Sequence, residues 1–382
     1  MLWSTLGKLY IFSVFRRFFV IEIETLSFGE NFDRTRNFFH PAFVPLTGGG
    51  ILFTFQLIME SDCYGPPQYM LYSPEGGWSE AAVIPGMENV NMGNGLVQGV
   101  ADIRPFAAAD GTVAVFGCST VYFRNKIKSD YMDIAQYSVY NTYHPDKGWG
   151  KCGVLSGVRT ACTQAEFDNC GNWLIPCYFD KNLSDASANY VVKVLKLHLE
   201  GEKFSVIGES NELEYNVERG FIEPSIIFFK GFFYMTIRAE DGFGYVSKTA
   251  DPMHWDKPKV WKFDNSELRT STTQQHFFKM KDRLFLCYTR KTRDNEHVFR
   301  YRAPLFAAEI DTEKCCLKKS TETTVFPLTE YQKSTGLYGN FHTVSMPDGS
   351  VWLSDGRLFV ISGEDNNDYL KSEMTAVKIT LH

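Results

Sequence analysis

The chain has 382 residues, 39 basic and 45 acidic side chains and a formal net charge of −6, with 44% hydrophobic residues. Length and apolar content suffice for a large core, and the acidic balance without any basic run excludes nucleic acid as the expected partner. Aromatic residues reach 15%, with 32 Phe and 19 Tyr, a bias that favours strands over helices.

The N-terminal segment MLWSTLGKLYIFSVFRRFFVIEIETLSF carries an apolar run from Leu9 to Phe15 that Arg16-Arg17 interrupts. A spanning helix needs about 20 uninterrupted apolar residues, and no small-residue cleavage site follows the run. The segment therefore reads as one or two strands, with a degraded export signal as the competing reading. Nine cysteines, an odd number without a CxxC pair, point to free thiols in a reducing compartment. A cytoplasmic location is expected, with periplasmic or secreted as the alternative.

From residue 39 onward one pattern recurs: a polar start, an apolar strand, a tight turn and a second apolar strand. It appears in FHPAFVPLTGGGILFTFQ (39–56), VADIRPFAAADGTVAVFG (100–117) and VRTACTQAEFDNCGNWLIPCYF (158–179). It returns in RGFIEPSIIFFKGFFYMTIRAED (219–241), TQQHFFKMKDRLFLCYTRK (273–291) and GNFHTVSMPDGSVWLSDGR (339–357). The turns fall near 49, 111, 170, 231, 282 and 349, separated by 62, 59, 61, 51 and 67 residues. That spacing fits a four-stranded unit with loops. Further strands, QYMLYS, YVVKVLKLHLE, GYVSK and PLFAAEID, follow four of the hairpins, and no stretch sustains a helical period. Six such units predict an all-β, six-bladed β-propeller of four-stranded antiparallel blades. Residues 1–382 form one domain in this reading, and N-terminal strands at about 8–27 close the ring with the C-terminal KSEMTAVKITL. Three Trp-ended turns, SPEGGWS (73–79), HPDKGWG (144–150) and TADPMHW (249–255), would plug the outer strands with an aromatic ring.

Such a ring brings the polar starts of its innermost strands to one mouth. These starts are His40, Asp102, Arg159, Glu223, Gln274, Gln275, His276, Asn340 and His342. The ends of the second strands return to the same face with Gln56, Tyr178, Arg238 and Arg290. So many polar groups beside a core cost about 1–3 kcal/mol each unless paired or solvated, which points to a ligand-binding cup. Arg238 and Arg290 hold matched positions in consecutive repeats, and the planar guanidinium fork suits a carboxylate. Glu240 follows Arg238, and His297, Arg300 and Arg302 lie on an insertion after the fifth hairpin. No His, Asp or Glu cluster has tight ligand spacing, so neither a metal nor a cofactor is expected.

With the repeat, the Trp-ended turns and the EPS strand in view, the chain resembles the sialidase-like superfamily of Asp-box (BNR-repeat) propellers, over roughly residues 35 to 345. The segments that carry the likeness are YGPPQYM, RGFIEPSIIFF, IRAEDGFGYVS, STTQQHFF, CYTRK and HVFRYRAPLF. The resemblance implies a glycoside hydrolase acting on a carbohydrate, often one with a carboxylate. True sialidases use an arginine triad, a Tyr/Glu nucleophile pair and an aspartate. Here Arg238, Arg290 and one of Arg36, Arg159 or Arg302 would mimic the triad, with Glu223 supporting Tyr245 or Tyr338. The expected catalytic set is Glu223, Asp102, His276 and His40. Arg238, Arg290, Gln274, Gln275, Arg159, Tyr178, Glu240, His297, Arg302 and Asn340 are the expected substrate contacts. A uronate-directed polysaccharide lyase using His and Tyr, and a non-catalytic glycan-binding propeller, are the alternatives.

Overall fold

The computed structural model describes residues 21–26, 36–60, 63–123, 137–181, 189–362 and 368–382. Among them only strands, turns and short 3-10 segments occur, and no helix is long and apolar enough to cross a membrane. The part of the expected N-terminal strands before Ile21 lies outside the described residues.

Six antiparallel blades follow one another in chain order. Blade 1 begins with Phe38–Pro45, Ile51–Glu60 and Cys63–Ser73, and blade 2 centres on Leu96–Ala107, Val113–Phe123 and Tyr137–His144. Blade 3 holds Glu166–Phe167, Trp173–Asp180, Tyr190–Glu200 and Lys203–Glu209, and blade 4 holds Ile222–Phe229, Phe232–Arg238, Gly244–Thr249 and Lys259–Val260. Blade 5 is built on His276–Met280, Arg283–Thr289 and Leu305–Asp311. Blade 6 combines His342–Ser345, Val351–Ser362 and Asp368–Leu381 with Ile21–Thr25 from the other end of the chain, in register from Ile21 opposite Leu381 to Thr25 opposite Val377. All six hairpins expected from the repeat are present as paired neighbouring strands of their blades. In blade 4 the connection is Lys230-Gly231 with φ of +48° and +85°, the paired positive φ that a two-residue turn needs to match strand twist.

The hydrophobic core is a ring of interfaces between blades. Val192, Val194 and Leu174 of blade 3 meet Ile226, Met235 and Ile237 of blade 4. Phe278 and Phe285 of blade 5 pack with Val351, Leu353, Val377 and Ile379 of blade 6, where Ile21 and Ile23 also pack. Each large apolar side chain so buried contributes about 1.5–3 kcal/mol. The Trp-ended turns sit at the outer strands: Trp78 packs on Phe43, Phe53 and Tyr72, and Trp149 on Tyr69 and Tyr143.

Candidate functional site

One backbone feature marks the entries of four consecutive blades. His40, Asp102, Cys162 and Glu223 all adopt left-handed φ, at +53°, +55°, +55° and +50°. Three of them sit in bulges of the innermost strand, where the register jumps between Phe39 and Ala42, Ala101 and Arg104, and Ile222 and Ser225. A non-glycine residue held in this region costs on the order of 1–3 kcal/mol and persists where the surroundings enforce it, most often at functional sites. The extra residue of a bulge re-aims the side chain that carries it.

Two of these side chains meet directly. His40 Nε2 lies 3.2 Å from Asp102 Oδ1, and its Nδ1 lies 3.5 Å from Gln56 Oε1. The Cys162 thiol, raised well above its ordinary range by burial, feels Asp102, Arg104, Glu223 and Arg238. Burial likewise raises the Tyr178 hydroxyl, with Cys118, Glu223 and Asp102 adding and Arg159 opposing. Burial opposes the charge on Arg159 too, but Cys118, Tyr178, Tyr190 and Asp102 outweigh it and leave the guanidinium more firmly protonated. Asp102, Arg159, Glu223 and Arg238 thus act electrostatically on the neutral Cys162 and Tyr178 across blades 2 to 4.

From Glu223 an alternating ladder of charge runs outward. Arg238 Nη1 donates to Glu223 Oε1 at 2.6 Å, and its Nη2 donates to Glu240 Oε1 at 3.2 Å. Arg219 then grips Glu240 with Nε at 2.8 Å and Nη2 at 2.5 Å. Exposure rises along the ladder, from 7% for the Arg238 side chain to 41% for Arg219. The bonds from Arg219 hold the Glu240 carboxyl down at about 2 against the effect of burial, and Arg238 and Arg300 add to them.

Beneath the mouth, polar side chains bond across the axis. The fully buried Arg104 of blade 2 donates through Nη2 to Gln274 Oε1 at 3.0 Å and to Asn340 O at 3.2 Å. Gln164 clasps Phe277 by two hydrogen bonds of 2.8 and 2.9 Å. Asp355 is fully buried, accepts the Gly339 N–H at 2.9 Å, and is pushed up to about 7 by burial.

Several expected contacts take other places. His40 and His276 are 0% and 2% exposed, and burial, reinforced by Arg104, drives both well below the ordinary histidine range. They are neutral supports rather than groups at the surface of the mouth: His276 Nδ1 pairs with Ser225 Oγ at 2.8 Å. Gln274 and Gln275 are buried too, spent on Arg104 and on the Thr236 hydroxyl. Arg290 does not join Arg238. It forms a two-pronged pair with Glu322, both bonds at 2.7 Å, and stacks on Phe306. Its neighbour Thr289 is buried, and its Oγ1 meets Thr273 Oγ1 at 2.8 Å. One step along a strand turns a side chain to the opposite face. Arg290 instead lines a groove of 440 Å³ with Phe263, Arg269 and Arg293. His297 and Arg300 are exposed on the loop between the second and third strands of blade 5, where Arg302 is half-buried and accepts the Tyr338 N–H through its carbonyl. Asn340 reaches the cluster, within 3.8 Å of Cys162 Sγ. Arg36 is exposed ahead of blade 1. Neither expected tyrosine is bonded to Glu223: the Tyr245 hydroxyl donates to Asp241 at 2.6 Å, and that of Tyr338 to Pro327 O at 3.1 Å. Glu223 pairs with an arginine instead.

Arg104, Cys162 and Asp355 escaped the sequence reading. Cys162 had a signal, because the steps His40 to Asp102, Asp102 to Cys162 and Cys162 to Glu223 are 62, 60 and 61 residues. Among the described residues no group of three His, Cys, Asp or Glu is arranged to hold a metal ion.

No protein-family model and no curated protein matches the sequence, whereas solved structures do match its fold. A protein of unknown function from Dyadobacter fermentans superposes with TM-score 0.60 at 13% identity, over 92% of this chain and 96% of that one. A variant of the NanB sialidase from Streptococcus pneumoniae gives TM-score 0.59 at 11% identity, over 93% and 70%. The Trypanosoma rangeli sialidase gives 0.55 at 14% identity over 90% of this chain, which spans 54% of that protein's length. At such identities the likeness is one of fold, and the chain folds as a sialidase-like six-bladed β-propeller.

Proposed function

We propose that the protein is a glycoside hydrolase of the sialidase-like type acting on a glycan with an acidic sugar, with Asp102 and Glu223 as its two working carboxylates. The observation that carries this reading is the matched pair of left-handed bulges that aim Asp102 and Glu223 into one cluster. Two carboxyl groups flanking a glycosidic bond supply what its cleavage needs: one protonates the leaving oxygen, and the other attacks the anomeric centre or activates water. Arg238 and Arg159 supply positive charge beside them, suited to a sugar carboxylate and to fixing the ring. Tyr178 stays protonated and serves as a hydrogen-bond donor. The sialidases that share the fold are consistent with a carbohydrate ligand.

Elimination from a uronate asks for a histidine at the mouth to take the proton α to the carboxylate. His40 and His276, both buried, are poorly placed for that step. Incubation with a panel of acidic oligosaccharides, read by mass, tests the assignment. The expected product is 18 mass units heavier than the elimination product and lacks its ultraviolet absorbance. An unsaturated product, or retained binding with no product from any glycan of the panel, overturns it.

A further inference from the structure

Arg238 is nearly the most enclosed charge of the mouth, yet its bonds are unequal. Nη1 holds Glu223 at 2.6 Å, Nη2 reaches Glu240 at a longer 3.2 Å, and Nε is buried with no hydrogen-bond partner among the described residues. Glu240 is anchored from the other side by Arg219, and Arg300 adds positive potential from the neighbouring loop. Three cations therefore converge on a single carboxylate that the protein itself provides. A carboxylate accepted by two guanidinium groups is the arrangement expected of a bound anionic ligand.

We propose that Glu240 is an internal stand-in for the ligand's carboxylate: it occupies the anion position between Arg238 and Arg219, and an acidic sugar binds by displacing it. Glu240 is thereby a specificity-determining residue, and this role rests on the acidic-sugar reading above. The displaced side chain has a place to go. Its stronger partner, Arg219, is 41% exposed, so Glu240 moves outward with Arg219 while Arg238 stays fixed on Glu223. The movement is one of side chains, because the backbone there is held: the Tyr190 N–H donates to Arg219 O at 2.8 Å and the Phe221 N–H to Tyr190 O at 3.0 Å. A ligand carboxylate must outcompete Glu240, whereas a neutral sugar meets no such rival. Glu240 therefore sets a threshold that only a ligand with further contacts passes.

The test is calorimetric binding of N-acetylneuraminic acid, galacturonic acid and the methyl ester of each to the wild-type chain, Glu240→Gln and Glu240→Asp. Removing the rival charge is expected to tighten binding of at least one free acid about tenfold or more in Glu240→Gln, equivalent to about 1.4 kcal/mol, and to leave the esters unchanged. Glu240→Asp keeps the charge and withdraws it by one methylene, so it gives a smaller gain in the same direction and guards against a Gln variant that does not fold. Equal or weaker binding of both acids in both variants overturns the proposal, as does an equal gain for acids and esters. A gain in acid binding without any cleavage keeps this proposal and removes the hydrolase reading. Cleavage by wild type with no gain in either variant does the reverse.

Discussion

Arg238 and Arg290 close the second strands of neighbouring blades, and each ends in the grip of glutamate, but they have opposite duties. Arg238 is the last residue of its strand and stands opposite Ile222, so it meets the left-handed Glu223 at the mouth. Arg290 lies one residue past Thr289, on the other face, and pairs with Glu322 over the ring of Phe306. The same residue type after the same kind of strand meets a left-handed strand-entry glutamate in one blade and a glutamate beside an aromatic ring in the next. What separates them is a single step of register.

The largest effect that would sharpen this contrast is on turnover. Glu223→Gln keeps an acceptor for Arg238 and removes the carboxylate, so kcat/KM on the cleaved glycan should fall by about a thousandfold at a temperature where circular dichroism shows the variant folded. Arg290→Met should leave kcat/KM unaltered and lower stability by about 3 kcal/mol in urea unfolding, because Glu322 is left half-buried without its main partner. A loss of turnover in Arg290→Met with intact stability would reverse the roles assigned to the two arginines. Third comes a slope in pH. Asp355 has a folded value of about 7 against 3.8 for the free side chain, so between about pH 4 and 7 the unfolded chain loses a proton that the fold retains. Stability from this group is complete below pH 4 and is lost as pH rises to 7. Asp355→Asn should therefore gain in melting temperature relative to wild type across that window and hold the gain above it. The buried His342, lowered to about 3 by burial, has the opposite sign: its contribution is lost as pH falls from 6.5 to 3, equally in both proteins. The smallest effect is Thr289→Val, about 1 kcal/mol for the lost bond to Thr273, with turnover unchanged.

The fold was legible because turn chemistry and strand period agree at each repeat: Asp110-Gly111, Lys230-Gly231 and Asp348-Gly349 break the apolar runs where the hairpins turn. The mouth was legible only where a polar residue opens an apolar strand, as at His40, Asp102 and Glu223. Arg104 was not, since it lies inside VADIRPFA, and only the one-residue bulge before it turns it into the channel rather than toward a blade face. The buried state of His40, His276 and Gln274 was hidden for a related reason. A strand entry is polar in sequence whether its partner is water or another strand entry across the axis. Pairs such as Arg104 with Gln274 and Arg290 with Glu322 join residues far apart in the chain, which no local pattern announces.

Blade 6 borrows its outermost strand, Ile21–Thr25, from the beginning of the described chain and lays it against Asp368–Leu381. The ring is thus fastened like a belt whose buckle joins two ends some 350 residues apart. During synthesis, blades 1 to 5 emerge before the clasp exists, with sheet edges open to wrong partners. Closure is the most non-local event of folding and should be its slow step. Until the belt is fastened the mouth has no fixed circumference.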